Sequence, residues 1–275
     1  MVILASFTKK QTKEIVFFEL EFLEKQAPVK AVYTSRIKGN SQPPYDSLNL
    51  GLHVGDSSET VLANRSLLAE LLELPLENWV IGEQIHSNKV ASVRQKDAGR
   101  GAYDKETVLK GIDAIVTNEP GLTLVTFYAD CVPIFIVDPI NRAIGLAHAG
   151  WRGTILQIGL HTVKKMIKEF GSQPDELIAA IGPAIGPCCY QIDNKVAKAV
   201  REHLAWHDSV LMSDGDNHYR LDLPKANYLG LKAAGLKSEN ISAADICTRC
   251  SSDIFFSYRA ANGVTGRQAA LLSLR

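Results

Sequence analysis

The stretch LTLVTFYADCVPIFIVDPINRAIGLAHAG, residues 122–150, holds three short apolar runs: Leu122–Tyr128, Ile134–Val137 and Ala143–Ala147. Each is too short for a helix and too continuously apolar for a half-solvated strand, so the three read as buried strands. No helix-length pattern separates them. The same region holds the most apolar window of the chain, Gly121–Val137, but Asp130 and Pro133 interrupt it. It is too short and too polar at its centre to cross a bilayer.

Working outward, Val29–Ser35, Trp79–Ile85, Lys89–Val93, Ile112–Thr117, Ile178–Ile181 and Gln268–Leu274 read as further strands. Asp56, with Glu59 three residues on, predicts a capped helix through Leu62, Leu67, Leu68 and Leu71 to about Leu74. A second helix is expected from about Thr154 to Phe170, ended by Gly171. A third would run from a cap at Asp193 through Leu204, and a fourth from Pro224 in its first turn to Gly235. Runs of adjacent strands mixed with strand–helix alternation favour α+β over a regular doubly wound sheet. No repeat, low-complexity tract or linker interrupts the pattern, and the longest loop signal is KGNSQPPY at Lys38–Tyr45. One domain spanning residues 1–275 is expected.

The 30 basic residues balance the 30 acidic ones. Zero net charge gives no field for a nucleic acid or an anionic membrane surface, but it leaves room for a local pocket that binds a small anion. The first residues, MVILASFTKKQTKE, lack the charged region, apolar core and cleavage site of a secretory signal. A cytoplasmic location is therefore expected. Five cysteines, an odd number, suit a reduced protein better than a disulfide scaffold.

Three polar residues stand where apolar runs end: His86 after WVIGEQI, Cys131 after LTLVTFYAD, and His148 after AIGLA. Rigid strand ends are good places for a site. The separations, 45 and 17 residues, match no short ligand pair, so spacing says little. The chemistry says more. Two imidazoles and a thiolate suit zinc and leave its fourth position open, as a catalytic zinc requires. Two other readings use the same atoms. Cys131 and the two histidines could be buried and satisfied by backbone bonds. Alternatively, Cys131 could be a nucleophile with His148 as its base and Asp130 orienting the imidazole.

The segment AHAGWRG (147–153) offers glycines for close approach, the Trp151 face for a ring and the Arg152 fork for phosphate or carboxylate. A tight turn with a surface arginine is the plainer reading. Two Gly-Pro pairs in IGPAIGPCCY (181–190) force stiff turns. Cys188 and Cys189, being adjacent, should point in different directions and read as packing residues. The CTRC pair, Cys247 and Cys250, has metal or redox spacing. A four-cysteine zinc would need a second pair, and Cys188–Cys189 has the wrong spacing for one. Arg36 and Asn49 lie on a Gly/Pro/Ser/Asn-rich loop, residues 34–51, that suits binding. No ligand pattern is visible for His53, His161, His203, His207 or His218.

Taken in order, TSR…YDSLNLGLHVGD (34–56), GEQIHSNKV (82–90), YADCVPIFIVDP (128–139), GLAHAGWRG (145–153), AIGPAIGPCCYQI (180–192) and CTRC…FFSYR (247–259) resemble the YlmD/YfiH family across nearly the whole chain. This laccase-like polyphenol oxidase family is also described as purine nucleoside phosphorylases. The resemblance implies a four-layer α/β/β/α sandwich with mixed sheets. It implies a zinc held by His86, Cys131 and His148. It implies phosphorolysis of adenosine, inosine, guanosine and methylthioadenosine, with phosphate as co-substrate, and hydrolytic deamination of adenosine. Copper-dependent phenol oxidation has been claimed for the family, but seven histidines are few for a multicopper centre. The chain departs from the family pattern at Asn40, where a glycine is usual, and at Ser87 after His86. Within this frame Arg36, Arg152 and Arg259 are the candidates for holding phosphate, with Asn49 beside them. Asp130 or Glu83 is the candidate proton carrier for deamination.

Overall fold

A computed structural model of the chain describes residues 3–4, 7–12 and 15–275, with side chains from residue 7 onward. Much of the N-terminal stretch weighed above for a signal therefore lies outside the described residues.

Among the described residues, two mixed sheets form the middle of the fold. One has the spatial order Ile3–Leu4, Ile241–Ala243, Ile178–Ile181, Val132–Asp138, Ala143–Ala149, Ala114–Thr117, Val90–Ser92. The other runs Phe7–Gln11, Val16–Leu20, Val29–Thr34, Gln268–Leu274, Thr123–Tyr128, Trp79–Ile81. A small third sheet joins Gln191–Asp193, His218–Leu221 and Leu211–Ser213.

Side-chain alternation sorts the core into layers. Along Val132–Asp138, Phe135 and Val137 face a cluster shared with the other sheet, where they join Leu124, Ala270 and Leu272. Ile134 and Ile136 face outward instead, onto Ile158, Val163 and Met166 of one helix and Ala226 and Leu231 of another. On the opposite side Val125, Phe127 and Leu271 pack against Leu68, Ala69 and Leu72 of the helix Ser58–Leu72. The order is helix, sheet, sheet, helix. Strands covered on both faces explain the continuous apolar runs.

The predicted elements are present, with instructive changes at their ends. Ser57, not Asp56, caps the first long helix, accepting from Thr60 N. The Asp56 carboxylate accepts instead from Ser41 Oγ, Asn49 Nδ2 and Ser57 N, and so pins the preceding loop. The helix expected over 154–170 is two helices, Trp151–Ile155 and Ile158–Phe170, because Gln157 adopts φ +56 and breaks the backbone ladder. Gly171 ends the second at φ +73. The strand from Trp79 stops at Ile81, where the chain turns into an irregular run toward His86.

One feature of residues 122–150 could not be read from hydropathy. Thr123–Tyr128 belongs to one sheet, whereas Val132–Asp138 and Ala143–Ala149 belong to the other. The chain crosses between sheets at residues 129–131, turning at Asp130 with φ +85. Cys131 sits in that crossover.

Candidate active site

The crossover delivers Cys131 to the start of the strand Val132–Asp138, where the neighbouring strand carries His148 opposite Pro133. His86 arrives from the loop after Trp79–Ile81, in a backbone conformation of φ +63 that few side chains favour. Each residue offers one ligand atom, and these atoms lie within 4.8 Å of one another. His86 Nε2 is 3.8 Å from Cys131 Sγ, and the two imidazole rings meet edge-on with centroids 4.9 Å apart.

Asp113 holds this arrangement. Its Oδ1 stands 3.0 Å from His148 Nδ1 and accepts from His86 N at 2.9 Å. Its Oδ2 accepts from Ile85 N, Ser87 N and Ser87 Oγ. With Nδ1 of His148 turned to the carboxylate, Nε2 is left to face Cys131, the outer-sphere pattern that fixes a ligand tautomer. Asp130, expected to orient His148, does not. Its carboxylate accepts from Thr248 Oγ1 and from Arg259 N, both at 2.7 Å, because the turn at residue 130 points it away from the imidazole. Asp113 carried only a weak signal, a carboxylate at the entry to an apolar strand.

Gly150 closes the cluster from behind. A Cβ there would fall 2.4 Å from His86 Cδ2 and 3.1 Å from Cys131 Sγ, so only a bare backbone lets the donors converge.

The electrostatics follow from burial and proximity. Burial works to raise the Cys131 thiol, but the His148 ring beside it and hydrogen bonds from both imidazoles outweigh this and hold it at about 6. Burial works to lower His148, but Cys131 and Asp113 carry it up to about 9. Asp113 stays below the ordinary carboxylate range: burial opposes this, and the bonds from His148 and Ser87 overcome it. Both shifts run in the direction that favours the charged forms, a thiolate and an imidazolium. A metal would take the place of the proton.

The donors open into a cleft of about 510 Å³. Trp151, Tyr190, Tyr258 and Phe127 supply aromatic faces to its walls, and Arg152, Arg259 and Arg267 supply guanidinium groups. Arg152 and Arg259 thus reach the site as the sequence suggests. Arg152 lies over the Trp151 ring, and Arg259 over Tyr190 while donating to Gln191 O.

Arg36 does not reach the cleft. It is spent on Asp46, on Ser252 O and on the Phe256 face. Asn49 is fully buried, and its Oδ1 accepts from Gly51 N and Arg267 N. It props Arg267 but lines nothing. Glu83 accepts from Gly111 N and pairs with Lys110 outside the cleft. His53, which shows no ligand pattern in the sequence, and Arg267, which sits in no distinctive motif, both stand on the cleft wall.

Cys188 is exposed and Cys189 half-buried, which does not suit the packing role expected of them. Cys188, Cys189, Cys247 and Cys250 also lie with their sulfurs within 4.8 Å of one another, although 58 residues separate Cys189 from Cys247 in the chain. All five cysteines are free.

Known proteins resemble this chain in both sequence and fold. Residues 30–275 match the family described as multi-copper polyphenol oxidoreductase laccase. Purine nucleoside phosphorylase YlmD of Bacillus subtilis is 40% identical over 247 residues, 90% of this chain and 89% of the relative. Adenosine deaminase RL5, from an unknown prokaryotic organism, is 33% identical over 250 residues, 90% of this chain and 95% of that protein. The solved structure of YlmD from Geobacillus stearothermophilus superposes with a TM-score of 0.93 at 39% identity, covering 98% of this chain and 99% of the other.

Proposed function

The chain belongs to the YlmD/YfiH family, and on that footing we propose that it is a zinc-dependent purine nucleoside enzyme, phosphorolysing adenosine, inosine, guanosine and methylthioadenosine and deaminating adenosine. The observation that carries this reading is the opening of His86, Cys131 and His148 into a cleft whose walls combine arginines with aromatic rings. Its volume lies within the range of small-molecule sites.

The donor set fits zinc: two imidazoles and a thiolate, a bare glycine behind them, and an open side toward the cleft. Bound there, zinc supplies Lewis acidity and an acidified water. Asp113 keeps His148 in the ligating tautomer and holds the His86 backbone in place. Trp151, Tyr190 and Tyr258 offer flat faces to a purine. Arg152, Arg259 and Arg267 offer planar N–H donors to phosphate, which replaces the purine at C1′ of the ribose. Both oxygens of Asp130 already accept bonds, so Asp130 positions the Arg259 backbone.

One observation favours a second reading. Cys131 Sγ close to the His148 ring is also what a Cys–His nucleophile needs. His86 and Gly150 are superfluous to that chemistry and essential to a metal site.

Product chromatography after incubation with adenosine tests the proposal. With phosphate, adenine and ribose-1-phosphate are expected; without it, inosine. Chelation should abolish both reactions, and zinc should restore them. Turnover that survives in metal-free protein would overturn the metal reading in favour of the nucleophile.

A further inference from the structure

Away from the cleft floor, the turn at residues 185–190 meets the turn at residues 247–250. They touch through a short parallel bridge, Ala184 to Cys247, with Ala184 N donating to Ile246 O and Thr248 N to Ala184 O. Four thiols converge just beyond it. Cys188 Sγ and Cys189 Sγ lie 3.6 Å and 3.4 Å from Cys250 Sγ, and all four sulfurs fit within 4.8 Å. We propose that Cys188, Cys189, Cys247 and Cys250 form a second metal centre, a closed tetrathiolate zinc site that ties these two turns together.

The spacing suits a tetrahedral ion. Zinc with Zn–S bonds of about 2.3 Å separates its sulfurs by about 3.8 Å, whereas a disulfide would bring a pair to about 2.05 Å. Four thiolates with no open position is a structural donor set, in contrast to the two imidazoles and one thiolate of the cleft. The surrounding backbone also serves a ligand. Gly186 N donates to Cys247 Sγ at 3.2 Å. Such bonds orient a metal-bound thiolate. Gly186 leaves the needed room, since a Cβ there would press against Cys247 Cβ at 3.3 Å and Cys188 Sγ at 3.4 Å.

Packing does not account for the cluster. Cys188 and Cys250 are exposed, and nothing apolar rewards their meeting. A tie at this point does have a consequence. The first turn carries Ile185 and Tyr190 to the cleft wall, and Thr248 of the second donates to Asp130 at the sheet crossover. The centre would therefore brace one side of the cleft, whatever reaction takes place there.

Metal analysis of full-length protein purified under reducing conditions tests this. Wild type should carry about two zinc ions per chain, and Cys247→Ser and Cys250→Ser about one. Cys131→Ser should keep the tetrathiolate ion and lose the other, which separates this centre from the site in the cleft. Zinc X-ray absorption on the Cys131→Ser protein should show four sulfur neighbours. Cobalt loaded into the same protein should give the intense thiolate charge-transfer and visible bands of a tetrahedral sulfur site. These two readouts leave the four cysteines untouched, so they decide the matter even if Cys247→Ser fails to fold. A Cys131→Ser protein that holds no zinc, iron in place of zinc, or cysteines recovered as disulfides after acid quenching would overturn the proposal.

Discussion

Asp113 Oδ1 stands 3.0 Å from His148 Nδ1, and the same buried carboxylate accepts the backbone N–H of His86. One side chain thereby sets the ring of one donor and the backbone of another, 27 residues away on a different element. Its removal should weaken the metal more than it weakens the fold. Asp113→Asn is expected to lower zinc affinity by about 10–100-fold. Competition with a chromophoric chelator measures this, and circular dichroism checks that the fold persists. Unchanged affinity would show that the His148 orientation does not depend on the carboxylate.

Gly150→Ala places a methyl group 2.4 Å from His86 Cδ2. Two of the three nearest atoms belong to the His86 ring, so His86 must move. The variant is expected to fold and to lose zinc from the cleft, with activity falling in proportion. Zinc content per chain is the readout, and full occupancy would contradict the packing described.

Metal uptake should release protons in a pH-dependent number. Below about 6 both the Cys131 thiol and the His148 ring are protonated, so zinc must displace a proton from each. Between about 6 and about 9 the thiolate is already formed and only the His148 proton is displaced. Above about 9 none remains on either group. Affinity should therefore rise with pH across the whole interval and then level off. Titration calorimetry in buffers of differing ionisation enthalpy counts the protons. A count near zero at pH 7 would mean that the pair is not an ion pair.

The arginines divide into two groups. Arg152→Ala, Arg259→Ala and Arg267→Ala should each raise the KM for phosphate roughly tenfold or more, the cost of one charge-assisted contact. Arg36→Ala should leave that KM unchanged, because Arg36 is committed to Asp46 and Ser252. Initial rates against phosphate concentration separate them. An effect at Arg36 equal to that at Arg267 would contradict the cleft boundaries.

Arg65 is fully buried and donates to Leu50 O, Gly101 O and Ala102 O while covering the face of Phe127. Arg65→Met keeps the stem and strands three carbonyls. A loss of about 3 kcal/mol is expected, read from urea unfolding. A near-neutral result would mean that water satisfies those carbonyls.

Local patterning was readable wherever burial was symmetric. Gln268–Leu274 and the runs within 122–150 announce themselves because strands between two layers need apolar residues on both faces. Helix ends at Asp193 and Gly171 were readable from single side chains with a capping reason. The ligand trio was readable as chemistry, a Cys and two His at strand ends, though not from spacing.

Other features were not readable, for one reason. Asp113, Arg267 and the four-cysteine cluster become partners only through strand pairing between distant segments. The bridge from Ala184 to Cys247 brings the CTRC pair to two adjacent cysteines whose own spacing matches no ligand motif. Likewise, nothing local tells that the chain changes sheets between Tyr128 and Val132. The sequence alone determined which segments are buried strands or capped helices and which side chains could bind a metal, since these depend on neighbours one to four residues away. Only the tertiary structure decided which donors converge, which carboxylate orients them and which arginines face the cleft. Those outcomes depend on register and layer order across the whole chain.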